Sequence, residues 1–221
     1  KRATGFITGG FRPTNSNTEN WIGQVYLYRE NEDIPIDDNG KAMLPLLQIC
    51  LEGLPYIPDA LKGSKVLTIF VSENMPGRLA YNGDAWVIRE YKEEDVLVVK
   101  DIYMQSSSRI KPYPLKSQLI TEDYPVWDSG DIPMDIEDEL VEMEDSGEIT
   151  DYYDYTDCFA GHKIGGYPNY IQSGIDFGDG YEFMIQIASD EKANLNIIDS
   201  GNFYLAKNSQ TGDWRLYCDF Y

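Results

Sequence analysis

The chain has 221 residues, which suits one large domain or two small lobes with a sizeable core. Its 42% hydrophobic and 13% aromatic content, with 17 tyrosines, excludes an acidic disordered chain, which would be poor in aromatics. A formal net charge of −20 disfavours nucleic-acid backbones and anionic membrane surfaces, because both are held by Lys and Arg, and it steers positively charged partners towards the protein.

In chain order, a Gly-rich turn leads into Trp21 to Tyr28, which reads as one strand with β-branched and aromatic content. Asn31 to Lys41 is polar and carries Pro35, Asn39 and Gly40, so a loop is expected. Leu44 to Leu51 is a buried apolar run, Leu54 to Pro58 a bend, and Ser64 to Ser72 a strand. Ala85 to Arg89 and Asp95 to Tyr103 are further strands, with Val96 to Val99 too continuous for a one-faced edge. Residues 105–133 hold Pro112, Pro114, Pro125 and Pro133 and are expected to be irregular. Ile136, Leu140 and Met143 fall at helical spacing, which predicts a helix over Ile136 to Met143. Strands follow at Tyr181 to Ala188, Asn196 to Ile198, Asn202 to Leu205 and Trp214 to Phe220.

Three cysteines, Cys50, Cys158 and Cys218, are widely spaced and lack a CxxC pattern. Free, buried thiols in a reducing, cytoplasmic compartment are expected. No apolar run approaches the roughly 18 to 20 residues of a membrane helix. No signal peptide is visible in a chain that opens at Lys1.

Two stretches echo each other. Gly9-Gly10-Phe11 with Pro13 precedes Leu47-Gln48-Ile49 and then Val66 to Phe70. Gly165-Gly166-Tyr167-Pro168 precedes Ile185-Gln186-Ile187 and then Asn202 to Leu205. The shared order predicts a divergent internal duplication.

The stretch His162-Lys-Ile-Gly-Gly-Tyr-Pro168, with Gln172 four residues on, resembles the signature of the YwqG-like family, a bacterial domain of unknown function. Tyr181 to Asp190, which contains Gln186, is similar to that family's "YE-x-LLQIxSD" strand. Asp199-Ser-Gly201 and the closing Cys218-Asp-Phe-Tyr221 resemble its later elements, and Gly9 to Pro13, Trp21, Pro45 to Ile49, Leu54-Pro55 and Gly63 to Phe70 fit its first half. Ile197-Ile198 stands where the family has tryptophan-glycine, and Arg12 intervenes before Pro13. The resemblance covers nearly the whole chain. It implies a β-rich α+β fold of two related halves, about 1–104 and 160–221, packed as one globular unit across an acidic helical or irregular connector, 105–159. It implies no established activity. Members occur near bacterial polymorphic and secreted toxin genes, including those of type VI secretion, which points to immunity proteins that neutralise a toxin.

The charge is localised. Ser117 to His162 holds 15 acids and no Lys or Arg, which leaves 23 acids against 18 bases elsewhere. Tyr124, Trp127, Tyr152, Tyr153, Tyr155 and Phe159 are interleaved. One reading is a polyanionic surface with aromatic anchors for the basic cleft of a toxin acting on nucleic acid or nucleotides. Its contact residues would be Asp135, Glu137, Asp138, Glu139, Glu142, Glu144, Asp145, Asp151, Tyr152, Tyr153, Asp154 and Tyr155. A second reading is a solvated acidic linker. A third, a divalent-cation site, is weakened by the absence of EF-hand spacing.

His162 is the only histidine, so His-pair metal sites are excluded and a hydrogen-bonded structural histidine is expected. Cys158 has acids around it, which makes a poor nucleophile. Gly165-Gly166 follows neither the P-loop nor the G-x-G-x-x-G pattern, and Asp176-Phe-Gly178 stands without other kinase motifs. His162, Gly165, Gly166, Tyr167, Pro168, Gln172 and Gln186 are therefore expected to be structural. No catalytic set, cofactor, metal, nucleic acid or membrane is expected. The leading expectation is a cytoplasmic immunity protein, monomeric when free, that blocks a basic toxin by occlusion. The alternative is a small-molecule-binding or hydrolytic domain using a groove near His162, Tyr167 and Gln172.

Overall fold

The apolar runs become paired strands in a computed structural model that describes residues 1–14, 16–77, 79–102 and 109–221. The strands are β1 (Ala3–Thr8), β2 (Asn20–Ile22), β3 (Leu27–Tyr28), β4 (Leu44–Cys50), β5 (Ser64–Val71), β6 (Leu79–Tyr81), β7 (Trp86–Lys92), β8 (Val98–Val99), β9 (Tyr113–Ile120), β10 (Lys163–Gly165), β11 (Tyr181–Ala188), β12 (Asn202–Asn208) and β13 (Trp214–Asp219). Helix α1 (Met134–Ser146) is the one α-helix among the described residues.

Eleven strands form one antiparallel sheet in the order β6-β13-β12-β11-β10-β1-β9-β2-β4-β5-β7, and β3 pairs with β8 apart from it. The end strands β6 and β7 are joined by residues 82–85 alone, so the sheet must curl until its edges meet. Alternation of side chains then fills the inside of this near-barrel. Leu67, Ile69, Trp86, Ile185, Leu205 and Leu216 are buried there. So is Lys207 of β12, whose Nζ reaches Glu90 Oε1 of β7 at 2.8 Å and the Ala60 carbonyl at 2.9 Å. Outside, Val25, Tyr28, Ile34, Met43 and Phe70 close one face, and Tyr170, Phe177, Tyr204 and Tyr217 another.

The expected α+β arrangement of two duplicated halves is not what the chain adopts. Strands from both parts of the sequence merge into one β-sheet: β1 lies between β10 and β9, and β6 pairs with β13. The expected connector holds β9, the neighbour of β1 and β2 near the middle of the sheet. Pro114 is tolerated in β9 because the β1 ladder ends at Thr8–Leu115. Beyond it Gly9 turns away, and its N–H donates to the Pro114 carbonyl, so the proline's missing donor faces no strand.

Local expectations changed for similar reasons. Trp21 to Tyr28 splits into β2 and β3 at Gly23, whose φ is 75° and where a Cβ would lie 2.6 Å from the Lys111 carbonyl oxygen. Val96 and Val99 are 81% and 50% exposed, so that run is surface rather than core; Tyr103 and 105–108 lie outside the described residues. Asn196 to Ile198 is no strand and leads into a turn that begins at Ile198, whose φ is 56°. The three cysteines are unpaired: Cys50 and Cys218 are buried, Cys158 half-buried. Among the described residues no helix is long and apolar enough to cross a membrane.

Candidate functional site

The Gly-Gly motif is built around a buried charge pair. Lys163 and Asp123 are both fully buried, with Lys163 Nζ 2.9 Å from Asp123 Oδ2. The same oxygen accepts the Tyr167 N–H at 2.7 Å, and Asp123 Oδ1 accepts the Phe159 N–H at 2.7 Å. A Cβ on Gly166 would sit 2.0 Å from Asp123 Oδ2, and one on Gly165 2.5 Å from the Tyr56 ring. Both glycines also hold positive φ, so this turn admits nothing larger. Asp123 therefore belongs to the core and not to the acidic surface. Its partnership with Lys163 was missed from sequence; the available signal was a lysine inside the apolar strand that follows His162.

His162 is buried beside it. Its Nδ1 accepts the Ala188 N–H at 3.1 Å, which leaves Nε2 to carry the proton towards Asp190 Oδ2 at 3.2 Å. Burial alone would raise the Asp190 carboxyl, but hydrogen bonds from His162, Thr8 and the Ala193 N–H outweigh it and hold the group well below the usual range. Gln186 Oε1 accepts the Asn169 N–H at 2.7 Å, and its Nε2 donates to the Ala160 and Gly161 carbonyls. Gln172 donates to the Phe220 carbonyl at 2.7 Å. His162, Gln172 and Gln186 thus each use side-chain atoms to hold backbone. Burial raises the Cys158 thiol despite the Lys163 ammonium nearby, and pushes Cys50 and Cys218 up to about 12, so none is an activated nucleophile.

Beside the two glycines opens a cavity of about 700 Å³, bounded by Lys1, Tyr56, Gly165, Tyr170, Asp131 and Tyr181–Met184 among others. His162 and Gln172 do not line it.

A family model described as "Domain of unknown function (DUF1963)" matches residues 22–210. The chain belongs to the DUF1963 family. No curated protein matches it. The matched span holds every strand of this DUF1963 domain except β1 and β13, with β2 entered at its last residue, and it takes in the buried pair and the acidic segment.

The acidic segment of the DUF1963 domain separates into anchors and surface. Tyr152 is buried, donates its hydroxyl to the Pro125 carbonyl at 2.8 Å and packs against Trp127, so this expected contact residue works inside the fold. Asp151 caps the following turn by accepting the Tyr153 N–H at 2.8 Å. Tyr153 and Tyr155 are 55% and 68% exposed, and Asp154 is exposed. Helix α1 carries Asp135, Glu137, Asp138, Glu139, Glu142, Glu144 and Asp145, has no base in its last turn and buries no residue. Gly147 ends it in the left-handed conformation, its N–H donating to the Glu144 carbonyl. Leu140, Met143, Ile149, Tyr152 and Tyr155 line a shallow apolar depression between the helix and the returning chain. Among the described residues no group of three His, Cys, Asp or Glu side chains is placed to hold a metal ion.

Proposed function

We propose that this DUF1963 domain is an immunity protein of the YwqG-like type that binds and neutralises a toxin with a basic surface in the cytoplasm. The observation that carries the reading is α1: seven carboxylates, no buried residue, and exposed apolar side chains at Met134, Ile136 and Val141. Acids at i and i+4, such as Asp135 with Glu139 and Asp138 with Glu142, repel. Glu142, Glu144 and Asp145 also sit at the negative end of the helix dipole. A cationic partner relieves both penalties, while Tyr153 and Tyr155 supply aromatic contact area. Three unpaired cysteines accord with a reducing compartment.

The test is capture of the product of the neighbouring gene by the purified protein, and its association rate. Reversing Glu137, Asp138, Glu139 and Glu142 to Lys is expected to slow association at low salt by about tenfold or more, with a smaller change in dissociation. No complex with a basic toxin domain at low salt ends the proposal, and an unchanged association rate moves the interface away from α1.

A further inference from the structure

β10 stops early. It pairs with β11 only at Lys163–Gln186 and Ile164–Ile185. Gly165 and Gly166, both at positive φ, then turn the chain out of the sheet. β11 begins farther back, at Tyr181, and its residues Tyr181, Glu182 and Phe183 pair with β12 alone. The cavity of about 700 Å³ lies where β10 would have continued, with the two glycines on one side and Tyr181–Met184 on the other.

We infer that this gap in the sheet is a strand-addition site for an extended, cationic segment of a partner protein. The unpaired side of β11 offers backbone acceptors to an incoming strand and, beyond Tyr181, whose N–H already donates to the Gly178 carbonyl at 3.1 Å, backbone donors up to the irregularity between Phe183 and Ile185. Tyr181 to Met184, which line the cavity, span about 10 Å at the usual rise, which matches a short extended peptide. The walls select the charge. Asp131, Asp176 and Glu182 face the cavity against Lys1, with Asp59 at its edge paired to Lys62 at 2.6 Å, and the buried rings of Tyr170 and Phe177 form part of its wall. Lysine and arginine side chains are favoured by such acidic surroundings. Asp131 is three residues ahead of Met134, where α1 starts, so the site adjoins the acidic helix. The inference rests on the proposed basic partner only for the protein that supplies the segment.

The probe is a labelled peptide of about six residues in which Lys and Val alternate, read by fluorescence anisotropy at about 0.15 M salt. Two companions carry N-methyl groups on alternate amides, one in each register. The parent is expected to saturate, and at least one N-methylated form to bind roughly tenfold more weakly, because a methylated amide cannot donate to a strand edge. The exposed-site variant Asp131→Lys with Glu182→Lys is expected to lose a similar factor. Absence of saturable binding overturns the inference, as does equal binding of parent and both methylated forms, which would mean charge attraction without strand pairing. A toxin complex that forms normally while the peptide fails removes the strand site alone. A peptide that binds while no toxin is captured removes the immunity reading alone.

Discussion

Lys163 meets its counter-charge inside the core. Its side chain is fully buried, and the Asp123 carboxylate that balances it is pinned by two backbone N–H groups as well. Removing the lysine would leave a buried carboxylate, the costly half of a broken ion pair. Lys163→Met is therefore expected to lose about 3–5 kcal/mol of stability in urea unfolding at neutral pH, and adding Asp123→Asn to restore only part of it, because the amide NH2 opposes one of the two backbone N–H donors. A single variant within about 1 kcal/mol of the parent would show that the pair is not isolated from solvent. From sequence, Asp123 counted as one of a run of surface acids, because nothing local distinguishes it. Its burial depends on β10 lying against the segment 40 residues earlier, and such a pairing leaves no periodic trace. The motif glycines were legible as backbone positions, but the aspartate and tyrosine that make them necessary were not.

At the scale of elements, strands buried on both faces could be read directly. β4 is buried at every residue and β5 at all but one, so both appear as continuous apolar runs. β9 could not be read, because Pro114 within it and Pro112 just before it argue against a central strand until the end of the β1 ladder is known. Asn196 to Ile198, between β11 and β12, reads as a strand in the sequence and is none. Ile198 there holds φ 56°, a conformation that clashes with a β-branched side chain. The strain is imposed by neighbours: Asn196 Nδ2 donates to the Ile198 carbonyl, and Gly201, locked against the Asp219 carbonyl, donates to that of Ile197. Because Ile198 is 43% exposed, Ile198→Asn forfeits little burial and is expected to raise stability by about 0.5–1 kcal/mol. A fall in the unfolding midpoint would show that the isoleucine packs usefully despite its backbone.

For the whole molecule, two charge effects oppose each other as pH falls. The net charge of −20 at pH 7 repels itself, so protonating surface carboxylates on the way towards the pI of about 4.2 should first stabilise the fold. Glu90 acts the other way. Burial inside the near-barrel tends to raise its carboxyl, but hydrogen bonds from Lys207, Lys92 and Ser64 outweigh this and lower it from 4.5 to about 2. A carboxyl more acidic in the folded than in the unfolded chain adds stability above the unfolded value and loses it as pH falls towards the folded one. For Glu90 that window runs from about 4.5 down to about 2, with up to about 3 kcal/mol at stake, and Asp190 is shifted in the same direction. Stability is thus expected to peak near pH 5 and to fall steeply below about pH 4. Denaturant midpoints taken across this range should show Glu90→Gln less stable at neutral pH but with a shallower acid limb. Parallel limbs for the two proteins would mean that the bridge from β7 to Lys207 on β12, which joins opposite ends of the curled sheet, does not set the acid stability of the fold.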